Sequence, residues 1–227
     1  MSYNIIGDQM TGNKDKINVK GEKKTKERIF DIAINLFAKN GFDSTSMREI
    51  AETVGIKKAS MYSHFKSKDE ILEKIIDYPM ERIGIVGQQG VETEELIISM
   101  GIEEFMSMAS GIFMDWMKDP YMEQIWRIIC IELYHNDKIK EFYKKFIDNA
   151  FSFWTSNFDF MIKNKLIKPL NPEMLAREYL SFYTSAYMDY FIFRYDNTSG
   201  SFIQEHQDSL DQHTEFIVNS IKLLKDI

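Results

Sequence analysis

Residues 45–70, TSMREIAETVGIKKASMYSHFKSKDE, hold two short helical patterns joined at Val54-Gly55-Ile56, with Ala51 four residues before the glycine and Met61 six after it. Two helices that cross steeply through a turn of three or four residues need a residue tolerant of positive φ, and a small residue where the backbones approach. Gly55 and Ala51 meet those needs, so the spacing predicts a helix-turn-helix. Ile50, Ala51 and Val54 fall on one face of its first helix, and Ile56, Met61, Tyr62 and Phe65 form the apolar face set against them. Lys57, Lys58, Ser60 and Ser63 then point outward from the second helix. Small, polar and cationic side chains of this kind can enter a DNA major groove and reach base edges or phosphates.

Working outward, residues 25–40 read as a helix with Ile29, Ala33, Leu36 and Phe37 on one stripe, ended by Asn40-Gly41. Thr45 before SMRE and Ser67 before KDE each have the pattern of a side-chain-capped helix start with acid in the first turn. The second of these opens a fourth helix running towards residue 86. Gly84, Gly87 and Gly90, with Gln88 and Gln89, mark a junction. Beyond it, periodic apolar segments at 93–118, 121–135, 137–166, 173–195 and 203–225 all read as helix, with no strand alternation and no tandem repeat. The expected fold is therefore all-α with nine helices, divided into a polar N-terminal arm (1–24), a helix-turn-helix unit (25–75) and a C-terminal bundle (76–227).

The net charge of -7 is unevenly spread. Residues 1–78 carry 14 Lys+Arg against 12 Asp+Glu, a balance of +2, which leaves 14 against 23, a balance of -9, for residues 79–227. An acidic body repels phosphate and confines DNA to the surface built for it. Lys14, Lys16, Lys20, Lys23 and Lys24 of the arm belong either to a solvated tail or to a segment that follows the DNA backbone. The longest charge-free runs, such as Phe105–Met114 and Tyr179–Met188, are ten residues, short of the roughly 18 that span a bilayer. No apolar h-region precedes residue 20, so no membrane partner and a cytoplasmic location are expected. Cys130, the single cysteine, lies in the apolar run IWRIICIEL and reads as inert packing.

LFAKNGFDSTSM, REIAETVGI and KKASMYSHFKSKDEIL follow one another over residues 36–72. In that order they resemble the brace helix, G-[FY]-x-x-T, I-A-x-x-x-G-[VI] and [ML]-Y-x-H-F-x-[SN]-K-x-x-[LI] of the tetracycline-repressor (TetR) family of transcriptional regulators. The resemblance is strongest over residues 25–75. It implies that Thr45 and Tyr62 hold phosphate, that Lys68 does so at the start of the fourth helix, and that Lys57, Lys58, Ala59, Ser60 and His64 form the outward face of the recognition helix. Lys57 departs from the hydroxyl residue common in the family, and Ala59 from the common glycine. The resemblance further implies a repressor released from a palindromic double-stranded operator when a small, largely apolar or amphipathic molecule binds the C-terminal domain.

A helix-turn-helix of this size reads few bases, so two copies on half-sites about 34–36 Å apart are expected, hence a homodimer. Leu175, Tyr179, Phe182, Ala186 and Tyr190 form one stripe, and Phe216, Ile217, Ser220 and Leu224 another. Paired with their copies, these stripes would build the four-helix dimer interface that the family uses. Phe105, Met108, Phe113, Trp116, Met117, Met122, Trp126, Phe158, Tyr183 and Tyr187 are the candidate ligand contacts, since thioethers repack and rings stack around an apolar guest. The same side chains at helical spacing also fill solid cores. Asp115, Glu123 and Glu132 lie near them, where a carboxylate would select a lipophilic cation.

No enzyme is expected. His64, His135, His206 and His213 are scattered, and H-E-x-x-H, paired cysteines and a Gly-rich phosphate loop are all missing. Hence no catalytic residue, metal ligand or cofactor is assigned. The alternative reading is an architectural or partner-binding DNA-binding protein with no small ligand, its rings being core and interface.

Overall fold

The punctuation of the sequence sets most of the helix ends. In a computed structural model that describes residues 24–87 and 93–223, the side chains of 83–87 apart, the N-terminal helices are α1 (Thr25–Asn40), α2 (Met47–Val54), α3 (Lys58–His64) and α4 (Lys68–Gly87). α1 ends where Gly41 takes φ 82°, and α2 ends where Gly55 takes the left-handed conformation (φ 80°, ψ 32°). α2 starts from a capping box in which Ser46 accepts the Glu49 N–H and the Glu49 carboxylate accepts the Ser46 N–H. The cap is thus Ser46 and not Thr45.

The second group comprises α5 (Thr93–Met100), α6 (Ile102–Met117), α7 (Met122–Glu132), α8 (Asp137–Lys163), α9 (Pro172–Met188) and α10 (Phe202–Ile221). Among the described residues the ten α-helices exceed the nine expected because Gly101, at φ 84°, breaks the 93–118 segment into α5 and α6. α9 runs directly into a π-helical stretch, Asp189–Arg194, whose wider turn lets the neighbouring rings of Tyr190 and Phe191 both face inward. α4 passes through Pro79 and Gly84 without a break. The expected arm 1–24, the Gln88–Gly90 part of the junction and Leu224 lie outside the described residues, Lys24 excepted. The only sheet-like contact among the described residues is an isolated bridge between Ile167 and Lys222.

Asn136 caps α8, Asn171 caps α9 with Pro172 in its first turn, and Ser201 with Gln204 makes a second capping box on α10. The small N-terminal core is Ile29, Ala33, Ile34 and Phe37 of α1 against Ile50, Ala51, Val54, Met61 and Phe65. α4 continues it through Ile71, Leu72 and Ile75, and α1 and α4 both rest on α7, joining that core to the bundle. α8 packs along α9, and α10 along α6.

Candidate nucleic-acid interface and effector domain

The turn between α2 and α3 holds the recognition helix by its inner face alone. Met61 and Phe65 are buried against Ile50, Ala51 and Val54, and Arg28 of α1 donates to the Val54 carbonyl (2.5 Å), which closes the end of α2. Lys57, Lys58, Ala59, Ser60 and Ser63 are all exposed. Tyr62, which the apolar pattern groups with the inner face, is 45% exposed and stands with the outer one. His64 is half-buried at the end of the helix.

Two expected phosphate contacts sit differently. Thr45 is 1% exposed, and its hydroxyl donates to the Gly41 carbonyl at 2.9 Å. Its proton is used in bracing the α1–α2 loop, so Thr45 is corrected from a phosphate ligand to a loop brace. The Lys68 amine donates to the Phe42 carbonyl (2.6 Å) and the Asp43 carbonyl (3.4 Å) and lies 4.1 Å from the Phe42 ring centre. It therefore ties α4 to the same loop, with the remaining ammonium proton left for a phosphate.

A polar seam joins this unit to the bundle along α7. Tyr121 donates to Asp31 (2.5 Å), Gln124 to Asn35 (3.0 Å), and the Phe42 N–H to the buried Glu132 carboxylate (2.7 Å). Phe30, Tyr78 and Tyr121 meet edge-on or tilted at centroid distances of 5.5–6.1 Å. Asp119 is bound by Tyr78, by Arg82 and by the Tyr121 N–H. Burial works against its charged form, but those donors together hold its carboxyl below the usual range. Burial, followed by the bond to Asp119, pushes the Tyr78 phenol up to about 12. Glu132 was unreadable as a contact of Phe42, since 90 residues separate them.

In the bundle the candidate ligand residues divide into two groups. Phe105 and Phe158 are buried with Trp154 and Tyr179 in a tight ring cluster, with Trp154–Tyr179 centroids 4.4 Å apart, and Met122 is fully buried. Phe113, Trp116, Trp126 and Tyr187 come together in a second cluster with Tyr143 and Phe146 of α8. Met117 joins it through its sulfur, which accepts the Tyr187 hydroxyl at 3.2 Å. Met108 is half-buried beside the core. Tyr183 touches Phe113 but spends its hydroxyl in a buried network with Tyr179, Ser110 and Thr214.

The three carboxylates expected near the ligand are occupied elsewhere. Asp115 is exposed and pairs with Lys118, Glu132 faces Phe42, and Glu123 accepts the Phe202 N–H (2.6 Å) at the start of α10. Burial raises the Glu123 carboxyl against that bond and the one from Tyr190. Burial likewise pushes the Cys130 thiol up to about 11, in keeping with inert packing.

The expected interface stripe needs a larger correction. Leu175, Tyr179 and Ala186 of α9, Tyr190 of the π-helical stretch and Ile217 of α10 are buried within the chain itself, because α9 packs between α8 and α10 of the same chain. Of the expected set, Phe182, Phe216 and Ser220 are exposed, and the outer apolar surface adds Met174, Ile192, Phe193 and Leu223.

The geometry defines a helix-turn-helix protein with a polar recognition face and an all-helical second domain. Residues 29–75 match the family described as bacterial regulatory proteins, tetR family. Over these residues the chain is similar to the TetR family of bacterial regulators. The biofilm operon icaADBC HTH-type negative transcriptional regulator IcaR of Staphylococcus epidermidis is 44% identical over 52 residues, 23% of this chain and 28% of that protein. The chain thus spans little more than a quarter of the length of the curated relative it matches. The fold extends further. A TetR family transcriptional regulator from Pseudomonas syringae pv. tomato superposes with a TM-score of 0.62 at 17% identity, over 90% of this chain and all of that one. SmeT in its complex with triclosan gives 0.61 at 15% identity, over 88% of this chain and 93% of SmeT.

Proposed function

We propose that the protein is a ligand-responsive DNA-binding transcriptional repressor. In this reading residues 25–75 bind a palindromic operator, and residues 76–227 supply the dimer contact and the site for a small, largely apolar or amphipathic molecule. One observation carries the reading: the outer face of α3 is polar, cationic and exposed from Lys57 to Ser60, while its inner face is locked by Met61 and Phe65. That face is what a major groove accommodates. Tyr62 and the spare proton of Lys68 reach flanking phosphates. The negative charge of the bundle keeps the rest of the molecule away from them.

A second copy covers the exposed rings of α9, the π-helical stretch and α10, where Phe182, Phe193 and Phe216 are 38%, 70% and 67% exposed. Ligand binding among the rings of the bundle shifts α7, and α7 carries the change to α1 and the 41–45 loop through Tyr121, Gln124 and Glu132, alongside α4. The ligand must bind the DNA-incompetent arrangement more tightly, since equal affinity for both shifts nothing. That the same fold in SmeT holds triclosan supports a small-molecule role for the bundle. Among the described residues no helix is long and apolar enough to cross a membrane.

The test is selection of binding sites from randomised duplex DNA, followed by light scattering of the free protein. Two-fold-symmetric sites bound by a dimer, with affinity falling steeply as salt rises, are the expected result. Absence of any enriched sequence, or a monomeric mass at micromolar concentration, would refute the reading.

A further inference from the structure

We propose that the effector is an aromatic molecule bearing an oxygen acceptor, uncharged or anionic, and that it is held by the indole N–H groups of Trp116 and Trp126. The proposal rests on the reading of the bundle as an effector domain and names the chemistry of that site.

The place is set by rings rather than by backbone packing. Trp116 of α6 stacks on Phe146 of α8 at 6.1 Å and 14°, so side chains alone span the space between these helices at this level. Trp126 of α7 forms the floor, 1% exposed, with its ring 5.0 Å from both Phe146 and Tyr187. Trp116, Tyr143 and Phe146 are only partly buried, so the cluster reaches the surface on that side. A side-chain-filled gap with a solvent edge can open by rotamer changes without unpacking a helix.

The hydrogen-bond inventory supplies the chemistry. The Nε1 atoms of Trp116 and Trp126 are both buried, and neither has an acceptor among the described residues. An indole N–H only donates, and a buried donor without an acceptor costs about 1–3 kcal/mol, so two in one cluster call for an explanation. The rings meet at 5.9 Å and 75°, an edge-to-face arrangement. That geometry lets one N–H lie over the other ring, a weak acceptor, but does not allow both to do so. At least one donor needs an acceptor that the described residues do not provide.

The charge of the guest follows from the neighbours. Of the three nearby carboxylates, Asp115 is exposed and paired with Lys118, while Glu123 and Glu132 are turned onto the Phe202 and Phe42 N–H groups rather than into the ring cluster. Burial holds the Tyr187 phenol well above its ordinary range, hence neutral, and its proton goes to the Met117 sulfur. Arg127, next to Trp126, is paired with Asp196 and leaves no free charge beside the cluster. Ring faces attract cations, but here the faces are stacked on other rings and the unmatched groups are N–H edges. An acceptor oxygen answers both indoles, whereas a quaternary ammonium answers neither.

Four matched probes test this on the full chain by thermal shift and tryptophan fluorescence: 1-naphthoate, its methyl ester, 1-ethylnaphthalene and trimethyl(1-naphthyl)ammonium. The carboxylate and the ester are expected to raise Tm, and the hydrocarbon and the cation to do so less or not at all. In W116F and in W126F the affinity for the two acceptor probes is expected to fall at least about tenfold, towards that of the hydrocarbon, which itself changes little. Should W126F lose its fold, the less buried W116F carries the test. Stabilisation by the cation equal to that by the carboxylate would overturn the proposal. So would an acceptor preference that survives both substitutions, or no response to any probe. Operator binding is read separately with the same probes. Acceptor binding through the two tryptophans without any change in operator affinity would leave the site standing and remove its regulatory role. Operator release that ignores both substitutions would do the reverse.

Discussion

The helix-turn-helix unit and the C-terminal bundle are both helical, but they are specified in different ways. In the first, backbone geometry dictates individual residues: left-handed Gly55, buried Ala51, and the Ser46–Glu49 capping box each answer one local demand. In the second, rings and thioethers fill space collectively, and many arrangements of them satisfy the same helix plan. The lesson is that function tied to a backbone shape is confined to a few positions, whereas function tied to a packed interior can change its guest without changing the fold. IcaR of S. epidermidis resembles this chain over 52 residues, while structures at 15–17% identity share the fold over nearly all of it, which is the pattern such a division produces.

The sharpest way to break the comparison lies within the bundle. If all its rings were equivalent core, truncating any of them would cost alike. Phe158 is fully buried between Trp154 and Tyr179, so F158A is expected to cost about 3–5 kcal/mol, or roughly 6–20 °C in Tm for a chain of this size. W116A removes a larger but partly exposed ring from the cluster that has unmatched donors, and is expected to cost less than F158A. Calorimetric scans of the two variants decide it. Equal losses would mean that the Trp116 cluster is solid core and would weaken the case for a site there.

How much of each region could be read beforehand follows from the same contrast. Gly55 and Ala51 were legible because their reasons lie within a few residues of them. Thr45 was not, since the partner of its hydroxyl, the Gly41 carbonyl, depends on the path of a loop. The α9 stripe was misread because periodicity reports that Leu175, Tyr179 and Ala186 share a face. It does not tell whether that face turns onto the same chain or onto a second copy: Tyr179 and Ala186 are buried within the chain, while Phe182 on the same face is left 38% exposed. Gly101 breaks a segment whose apolar period continues on both sides, so only the backbone reveals the break. The seam from α7 to α1 joins residues 89 and 90 positions apart, beyond any local pattern.

That seam is where the two regions meet, and Glu132 tests whether they are coupled. Replacing it by alanine leaves the Phe42 N–H buried without its acceptor, at an expected cost of about 1–3 kcal/mol. E132Q retains an acceptor oxygen and should recover most of that loss. Because Phe42 also holds Lys68 through its carbonyl and ring, E132A is expected to weaken operator binding as well, although Glu132 lies on the bundle side of the seam. An E132A protein that loses stability but binds operator normally would show that the seam is structural only, and the route from effector to DNA would then rest on α4.

The smallest stability change is expected where the functional change is largest. Lys57 and Lys58 are exposed, and no ion pair or hydrogen bond ties either side chain to another described residue. Substituting either by alanine should move stability by no more than about 0.5 kcal/mol, since surface changes away from caps, cores and networks rarely exceed that. If the amines touch phosphate, each loss lowers the slope of log affinity against log salt by about one and weakens all sequences alike. If Lys57 instead reads a base edge, K57A changes the preferred sequence at one position of each half-site and leaves the other positions alone. Selecting sites with each variant, at two salt concentrations, separates the two roles. A K57A,K58A double variant with unchanged affinity, slope and preference would show that this face of α3 does not meet DNA, and the comparison between the two regions would lose its functional half.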